Sequence, residues 1–200
     1  MKQPQNKQKN LSKAPQKVRV IGGQWRGRLL PVAEADGLRP TANRVRETLF
    51  NWLQFDIHGR SCLDLFSGSG ALGIEAASRG ASKVTLVEKE AMIANSLRQQ
   101  VSTLAATQTE VIQADALSFI KTCEQQYDLI FLDPPFQHFA LNEVLDAVLA
   151  AGIINSDGMI YLEAERNGLP ESLAQPWQWW RQAKAGQVEY GLIQQQEQAP

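Results

Sequence analysis

The run from Ser61 to Gly80 constrains the fold more than any other part of the chain. Ser61-Cys62-Leu63-Asp64-Leu65-Phe66 reads as a buried strand and leads straight into Ser67-Gly68-Ser69-Gly70-Ala71-Leu72-Gly73. Ile74-Glu75-Ala76-Ala77-Ser78-Arg79 then reads as a helix closed by Gly80. Strand, glycine turn and helix in that order open a doubly wound sheet and form a nucleotide-binding corner. Gly68 permits the tight turn, Gly70 lets a ligand approach the backbone, and Gly73 brings helix against strand. A bare G-x-G-x-x-G has little specificity; the flanking strand and helix supply it. Lys83 to Glu88 repeats the strand pattern and ends on an acid 20 positions after Gly68. That spacing suits a carboxylate accepting both ribose hydroxyls.

Downstream, Ala91 to Leu104 reads as a helix and Glu110-Val111-Ile112-Gln113 as a strand. Asp115, just beyond, could accept from an adenine amino group or cap the next helix, and the two roles are compatible. Tyr127-Asp128-Leu129-Ile130-Phe131-Leu132 is an apolar strand that must end at Leu132 or Asp133, because neither Pro134 nor Pro135 can donate to a ladder. Pro134 also keeps Asp133 out of the helical region. Asp133, Pro134, Pro135 and Phe136 thus make a stiff rim of one carboxylate, carbonyls without competing N–H groups, and a ring. Such a rim suits a planar amine. The exocyclic amine of a nucleobase is a poor nucleophile, since its lone pair is delocalised into the ring. Acceptors fixed on both hydrogens favour the pyramidal form that attacks, and the preference grows in the transition state. The same residues also read as a strand followed by an ordinary Pro-Pro turn.

Phe139 to Ala150 reads as a helix, Gly158 to Glu163 as a strand, and Trp177 to Ile193 as a terminal antiparallel hairpin. Trp177, Trp179 and Trp180 are expected as core and edge cover. The fold class is α/β: a doubly wound, seven-stranded Rossmann-like sheet with a small N-terminal β-hairpin and helix extension.

The formal charge of −1 conceals an asymmetry. Residues 1–47 hold eleven basic residues against three acidic, a charge of +8; the rest hold nine against 18, a charge of −9. A basic arm on an acidic body fits a polyanionic partner touched by the N-terminal quarter, although a solubilising tail would look the same. Residues 1–17 carry five lysines and almost nothing to bury, so they read as a disordered tail. Residues 18–55 form the extension and 56–195 the main body. Val18 to Ile21 and Arg28 to Leu30 flank a glycine-rich turn, as in a hairpin. Trp25 at its tip could stack on a base or fold back as a hydrophobic lid. Thr41 is placed to cap a helix whose Val45, Leu49, Trp52 and Leu53 make an apolar stripe. Arg44 and Arg46 are expected to face outward or toward a cleft.

No apolar run approaches the roughly 20 residues that span a bilayer, and no secretory leader opens the chain. A cytoplasmic location is expected. Cys62 and Cys123 lack metal-ligand spacing and read as reduced thiols, and His58 and His138 have no partner at metal or triad spacing, so no metal is expected.

A dehydrogenase would need a placed proton donor, and the sequence offers none. The order of glycine loop, Glu88, Asp115 and Asp133-Pro134-Pro135-Phe136 resembles class I S-adenosylmethionine (SAM)-dependent methyltransferases. Arg19-Val20-Ile21-Gly22-Gly23, Arg39-Pro40-Thr41, Arg44 to Leu53 and Leu63 to Gly70 bring the chain closer still to the RsmD family of bacterial 16S ribosomal RNA guanine-N2 methyltransferases. That resemblance implies SAM as cofactor, with its methionine end along Asp64, Phe66, Ser67, Gly68, Ser69 and Gly70, its ribose on Glu88, and its adenine by Asp115 and Ala116. It implies a target amine held by Asp133 and Pro134 under Phe136, and RNA contacts from Arg19, Trp25, Arg26, Arg28, Arg39, Thr41, Arg44 and Arg46. It further implies a monomer acting on an assembling small subunit, at the guanine of position 966 in 16S ribosomal RNA. Two other readings stay open: a DNA adenine-N6 methyltransferase, since the corner serves both amines, and a noncatalytic ribosomal RNA-binding assembly factor.

Overall fold

The computed structural model describes residues 17–32, 43–135 and 141–196. Phe136, His138, Arg39, Thr41 and the tail before Lys17 lie outside them. β1 (Lys17–Arg19) and β2 (Leu29–Pro31) pair antiparallel, with Val18 opposite Leu30. Lys17, expected in the tail, therefore begins the hairpin. α1 (Asn43–Trp52) follows. Then β3 (Ser61–Asp64), α2 (Gly73–Ser78), β4 (Lys83–Glu88), α3 (Ala91–Thr103), β5 (Thr109–Gln113), α4 (Ala116–Thr122), β6 (Tyr127–Leu132), α5 (Leu141–Ala151) and β7 (Ile154–Glu165) alternate strand and helix. β8 (Trp177–Ala185) and β9 (Val188–Gln195) close the chain as the expected hairpin.

Seven strands make one sheet in the order β5-β4-β3-β6-β7-β9-β8. β3 to β7 run parallel, and β9 enters antiparallel between β7 and β8. From β3 the chain moves outward through β4 to β5, then returns to place β6 on the other side of β3. In open α/β sheets, ligands bind at the carboxyl ends of the strands beside such a reversal. Asp64, Glu88 and Asp133 stand at or just beyond the carboxyl ends of β3, β4 and β6.

The buried residues form two layers, one on each face of the sheet. Leu63, Val87, Ile130, Leu132, Ile160 and Leu162 point toward α4 and α5, where Val144 and Val148 are fully buried. Cys62, Leu86, Phe131 and Tyr161 point the other way, into a cluster that takes in Leu49 and Phe50 of α1 and Val18, Val20, Trp25 and Leu30 of the hairpin. Alternate strand residues serve opposite faces, so the central parallel strands β3 and β6 and the middle of β4 and β7 are mostly apolar on both faces, while the edge strand β5 is not. Trp177 is buried and Trp179 and Trp180 partly so, as core and edge cover.

Gly73 and Gly23 are required by close approach. A Cβ at Gly73 would sit 2.2 Å from Leu86 Cδ2, so the helix packs on β4 only because that side chain is missing. Gly23 has φ +74°, and a Cβ there would lie 1.8 Å from the Ser78 carbonyl oxygen. The hairpin tip is thus seated on the end of α2 rather than projecting as a free turn.

Candidate active site

The glycine loop is closed by its own carboxylates. Asp64 Oδ2 accepts the Gly73 amide at 3.0 Å, and Ser67 Oγ donates to the Asp64 carbonyl at 2.9 Å. Glu88 reaches across from β4: Oε2 accepts the Gly68 amide at 2.9 Å and Oε1 the Glu90 amide at 2.8 Å. Each Glu88 oxygen keeps a second lone pair, so the residue assigned to the ribose is held beside the loop and remains able to accept. Gly68 takes φ +49°, as the tight turn requires. At Gly70, φ is +77° and a Cβ would meet Ile74 and Leu97 at 2.7 and 2.8 Å, so the core also requires a glycine there. Asp115 caps α4 by accepting the Ser118 amide at 3.2 Å, and Lys89 lies 3.7 Å away. Ala116, behind it, is buried.

β6 ends at Leu132, and Asp133 follows half-buried, with Pro134 buried and Pro135 exposed. Along this edge the face shared by Asp64, Phe131 and Tyr161 collects acids. Asp64 aligns with Phe131 on β6, which aligns with Tyr161 on β7. Asp133 and Glu163 are the residues that follow the paired Leu132 and Leu162, and they are near enough for the Asp133 charge to act on Glu163. Glu163 is 4% exposed, and its Oε2 accepts the Tyr161 hydroxyl at 2.7 Å.

These carboxyls titrate far from their ordinary range. Burial, with Asp133 and Glu88 nearby, pushes Asp64 up to about 7 even against the amides of Gly73 and Phe66. Burial and Asp133 push Glu163 up to about 8. No lysine or arginine among the described residues forms an ion pair with Asp64 or Glu163. A buried acid without a cation is costly. A cationic ligand on this edge offsets that cost, and the sulfonium of SAM is such a cation. The donor set suits SAM: buried acids that a positive sulfur would compensate, a Glu88 carboxylate with accepting capacity to spare, and a glycine-loop backbone.

Two of the expected RNA contacts are turned inward. Trp25 is buried, and its amide donates to Ser78 Oγ at 3.0 Å, so the lid reading holds and the stacking reading does not. Arg46 is fully buried on α1. Its Nη2 donates to the Arg19 carbonyl at 2.9 Å and to Asn43 Oδ1 at 2.6 Å, and its Nη1 stands 3.8 Å from Glu75 Oε2. The reason is helical: positions 46, 49, 50 and 53 form a stripe of their own, and Arg46 shares it with Leu49, Phe50 and Leu53. Desolvation lowers the Arg46 pKa, partly offset by Glu75 and Glu47. Arg19, Arg26, Arg28 and Arg44 remain exposed. Arg19 Nη1 spans the hairpin to the Gly27 carbonyl at 3.2 Å.

Among the described residues no helix is long and apolar enough to cross a membrane, and no cluster of three or more side chains is suited to a metal ion. Cys62 is buried and Cys123 partly buried, both as free thiols.

A family model described as "Conserved hypothetical protein 95" matches residues 18–194. The ribosomal RNA small subunit methyltransferase D of Escherichia coli K12 is 44% identical over 182 residues, covering 90% of this chain and 91% of its own. The protein of the same name from Haemophilus influenzae is also 44% identical, over 88% and 93%. A solved structure described as the putative methyltransferase yhhF from Escherichia coli superposes with a TM-score of 0.84 at 41% identity, over 92% of this chain and all of the other. With that match across nearly its whole length, the chain belongs to the RsmD family of class I SAM-dependent methyltransferases.

Proposed function

We propose that the protein methylates the exocyclic N2 amine of one guanine in 16S ribosomal RNA, at the position equivalent to 966, on assembling small subunits. The observation that carries this reading is the Asp133-Pro134 corner, placed beside the β3–β6 reversal where Asp64, Glu88 and the glycine loop converge. The Asp133 carboxylate and the Pro134 carbonyl accept the two amine hydrogens, which aims the nitrogen lone pair away from the protein and at the donor methyl. Bound SAM supplies an electrophilic methyl whose bond to sulfur breaks, with its electrons passing to sulfur, as the nitrogen–carbon bond forms. Asp133, or water beyond it, then takes the proton that the methylated nitrogen sheds. Positioning provides most of the rate, because the reaction needs neither a strong base nor a metal.

A paired guanine hides its amine, so the target is a loop base or one flipped from its helix. Residues 18–55 make the RNA-contacting extension. Within it Arg19, Arg26, Arg28 and Arg44 supply the phosphate attraction, with Arg39 and Thr41 outside the described residues, while Trp25 and Arg46 hold the extension together. The test is labelled SAM offered to assembling small subunits, naked ribosomal RNA and DNA, with the product nucleoside identified. N2-methylguanosine in small-subunit RNA is expected. N6-methyladenine in DNA, or RNA binding without transfer, contradicts the reading.

A further inference from the structure

We infer that Glu163 selects guanine over other purines by accepting the N1–H of the bound base, beside the amine held at Asp133. The inference rests on the guanine reading above and adds the residue that enforces it. β6 and β7 pair parallel with Leu132 opposite Leu162 and no irregularity between Leu129 and Leu132. The next residues of the two strands are Asp133 and Glu163, on the face of Phe131 and Tyr161 and roughly 4.8 Å apart by strand spacing. Glu163 is closed off from water at 4% exposure, and the Tyr161 hydroxyl, at 2.7 Å, takes one of its oxygens. Tyr161 is fixed in turn between the rings of Phe131 and Tyr190, at 6.2 and 6.4 Å. The carboxyl is thus held by a tyrosine packed between two rings, and its other oxygen is the one that would meet the base. A core acid kept only for stability would be an expensive choice here, next to a second carboxylate.

The chemistry of the base supplies the match. Guanine presents two neighbouring donors on one edge, the N1–H and the N2 amine. Adenine and 2-aminopurine present an unprotonated N1, whose lone pair would face the Glu163 carboxylate. Asp133 with Pro134 recognises any purine amine, but once Glu163 has released its proton, above about pH 8, the two adjacent carboxylates accept only an edge that donates from both positions. Discrimination comes from the repulsion against the wrong base as much as from the bond to the right one.

The experiment compares, at pH 8.5 where Glu163 is ionised, a small-subunit RNA fragment carrying guanine with one carrying 2-aminopurine at the methylated position. 2-Aminopurine keeps the N2 amine and lacks the N1 proton. Wild-type protein is expected to prefer guanine by about ten- to a hundredfold in kcat/KM. In Glu163→Gln the amide rotates to offer either a donor or an acceptor, so the ratio is expected to shrink to about threefold or less. Both RNAs are compared at the same saturating SAM concentration, so a change in SAM affinity cancels from the ratio. Tyr161→Phe keeps the carboxylate but frees it, and its ratio is expected to fall between the two. Equal use of both bases by wild type overturns the inference without any variant. So does an unchanged ratio in Glu163→Gln, or in Tyr161→Phe should the glutamine variant not fold. Failure of the guanine reading has a separate signature: wild type then makes no N2-methylguanosine at all.

Discussion

The carboxylate of Glu75, on the helix that follows the glycine loop, accepts the amide of Gly22, at the base of the hairpin tip, at 2.8 Å. Its other oxygen takes the Ile21 amide at 2.7 Å, and Arg79 Nε donates to Oε1 at 2.7 Å. Glu75 is fully buried, with Arg46 behind it. One side chain therefore joins the hairpin, α1 and α2. The segment expected to touch RNA and the helix that ends the cofactor loop form one packed unit.

Removing that carboxylate strands Arg46 and two amides in the core. Glu75→Ala is expected to cost about 3–5 kcal/mol of unfolding free energy, and about 2–4 °C in Tm for each kcal/mol of it. Urea unfolding with an unchanged slope reads this directly. A loss below about 1 kcal/mol would show that the hairpin is held by apolar packing alone.

Arg44 and Arg46 are expected to separate cleanly. Arg44→Ala leaves stability within about 0.5 kcal/mol and weakens RNA binding, whereas Arg46→Ala destabilises because it empties a buried site and removes the bonds to the Arg19 carbonyl and Asn43. Replacing Arg26, Arg28 and Arg44 together is expected to flatten the salt dependence of RNA affinity by roughly 0.7–0.9 in log–log slope for each phosphate no longer neutralised. Filter binding to small-subunit RNA across a salt series measures it. An unchanged slope would move the RNA site off the hairpin and α1.

The raised carboxyls set a pH trend. Asp64 and Glu163 hold their protons in the folded protein up to about 7 and about 8, while the unfolded chain releases them near 3.8 and 4.5. The folded state thus binds more protons across that interval, and the contribution of these two groups to stability falls as pH rises through it. Glu163→Gln removes one of the two titrations. Its stability relative to wild type is expected to rise by about 1–3 kcal/mol between pH 5.5 and pH 8.5. Urea unfolding at the two pH values tests this, and the opposite drift would contradict it.

The same groups link cofactor binding to protons. A sulfonium beside Asp64 and Glu163 favours their ionised forms, so SAM is expected to release protons on binding and to bind more tightly as pH rises from 6 to 8.5. S-adenosylhomocysteine has an uncharged sulfur and is expected to show a weaker trend. Calorimetry in buffers of different ionisation enthalpy counts the protons. Identical release by the two ligands would mean that the acids do not sense the sulfur.

Most of the sheet is legible from sequence because its signals are local. Tyr127 to Leu132 stops where two prolines forbid a ladder, and Gly68 to Gly73 sits between a strand and a helix of plain pattern. The position of Gly73 against Leu86 follows from the same motif. Arg46 reads as outward-facing when its charge outweighs its spacing from Leu49, Phe50 and Leu53, and its partner Glu75 is 29 positions away. Gly22 and Gly23 look like turn residues, since nothing local reveals that Ser78 lies against them. Glu163 is visible only as the last residue of a strand. Its place beside Asp133 depends on which strands are neighbours and in what register, and that is settled only when the sheet forms.

The most direct test is single-turnover methyl transfer to assembling small subunits by Asp133→Ala, with SAM affinity measured on the same preparation. Transfer is expected to fall by at least about a hundredfold, with SAM affinity changed by only a few-fold. Turnover close to wild type, or loss of SAM binding in parallel with loss of transfer, would contradict the assignment of Asp133 to the amine.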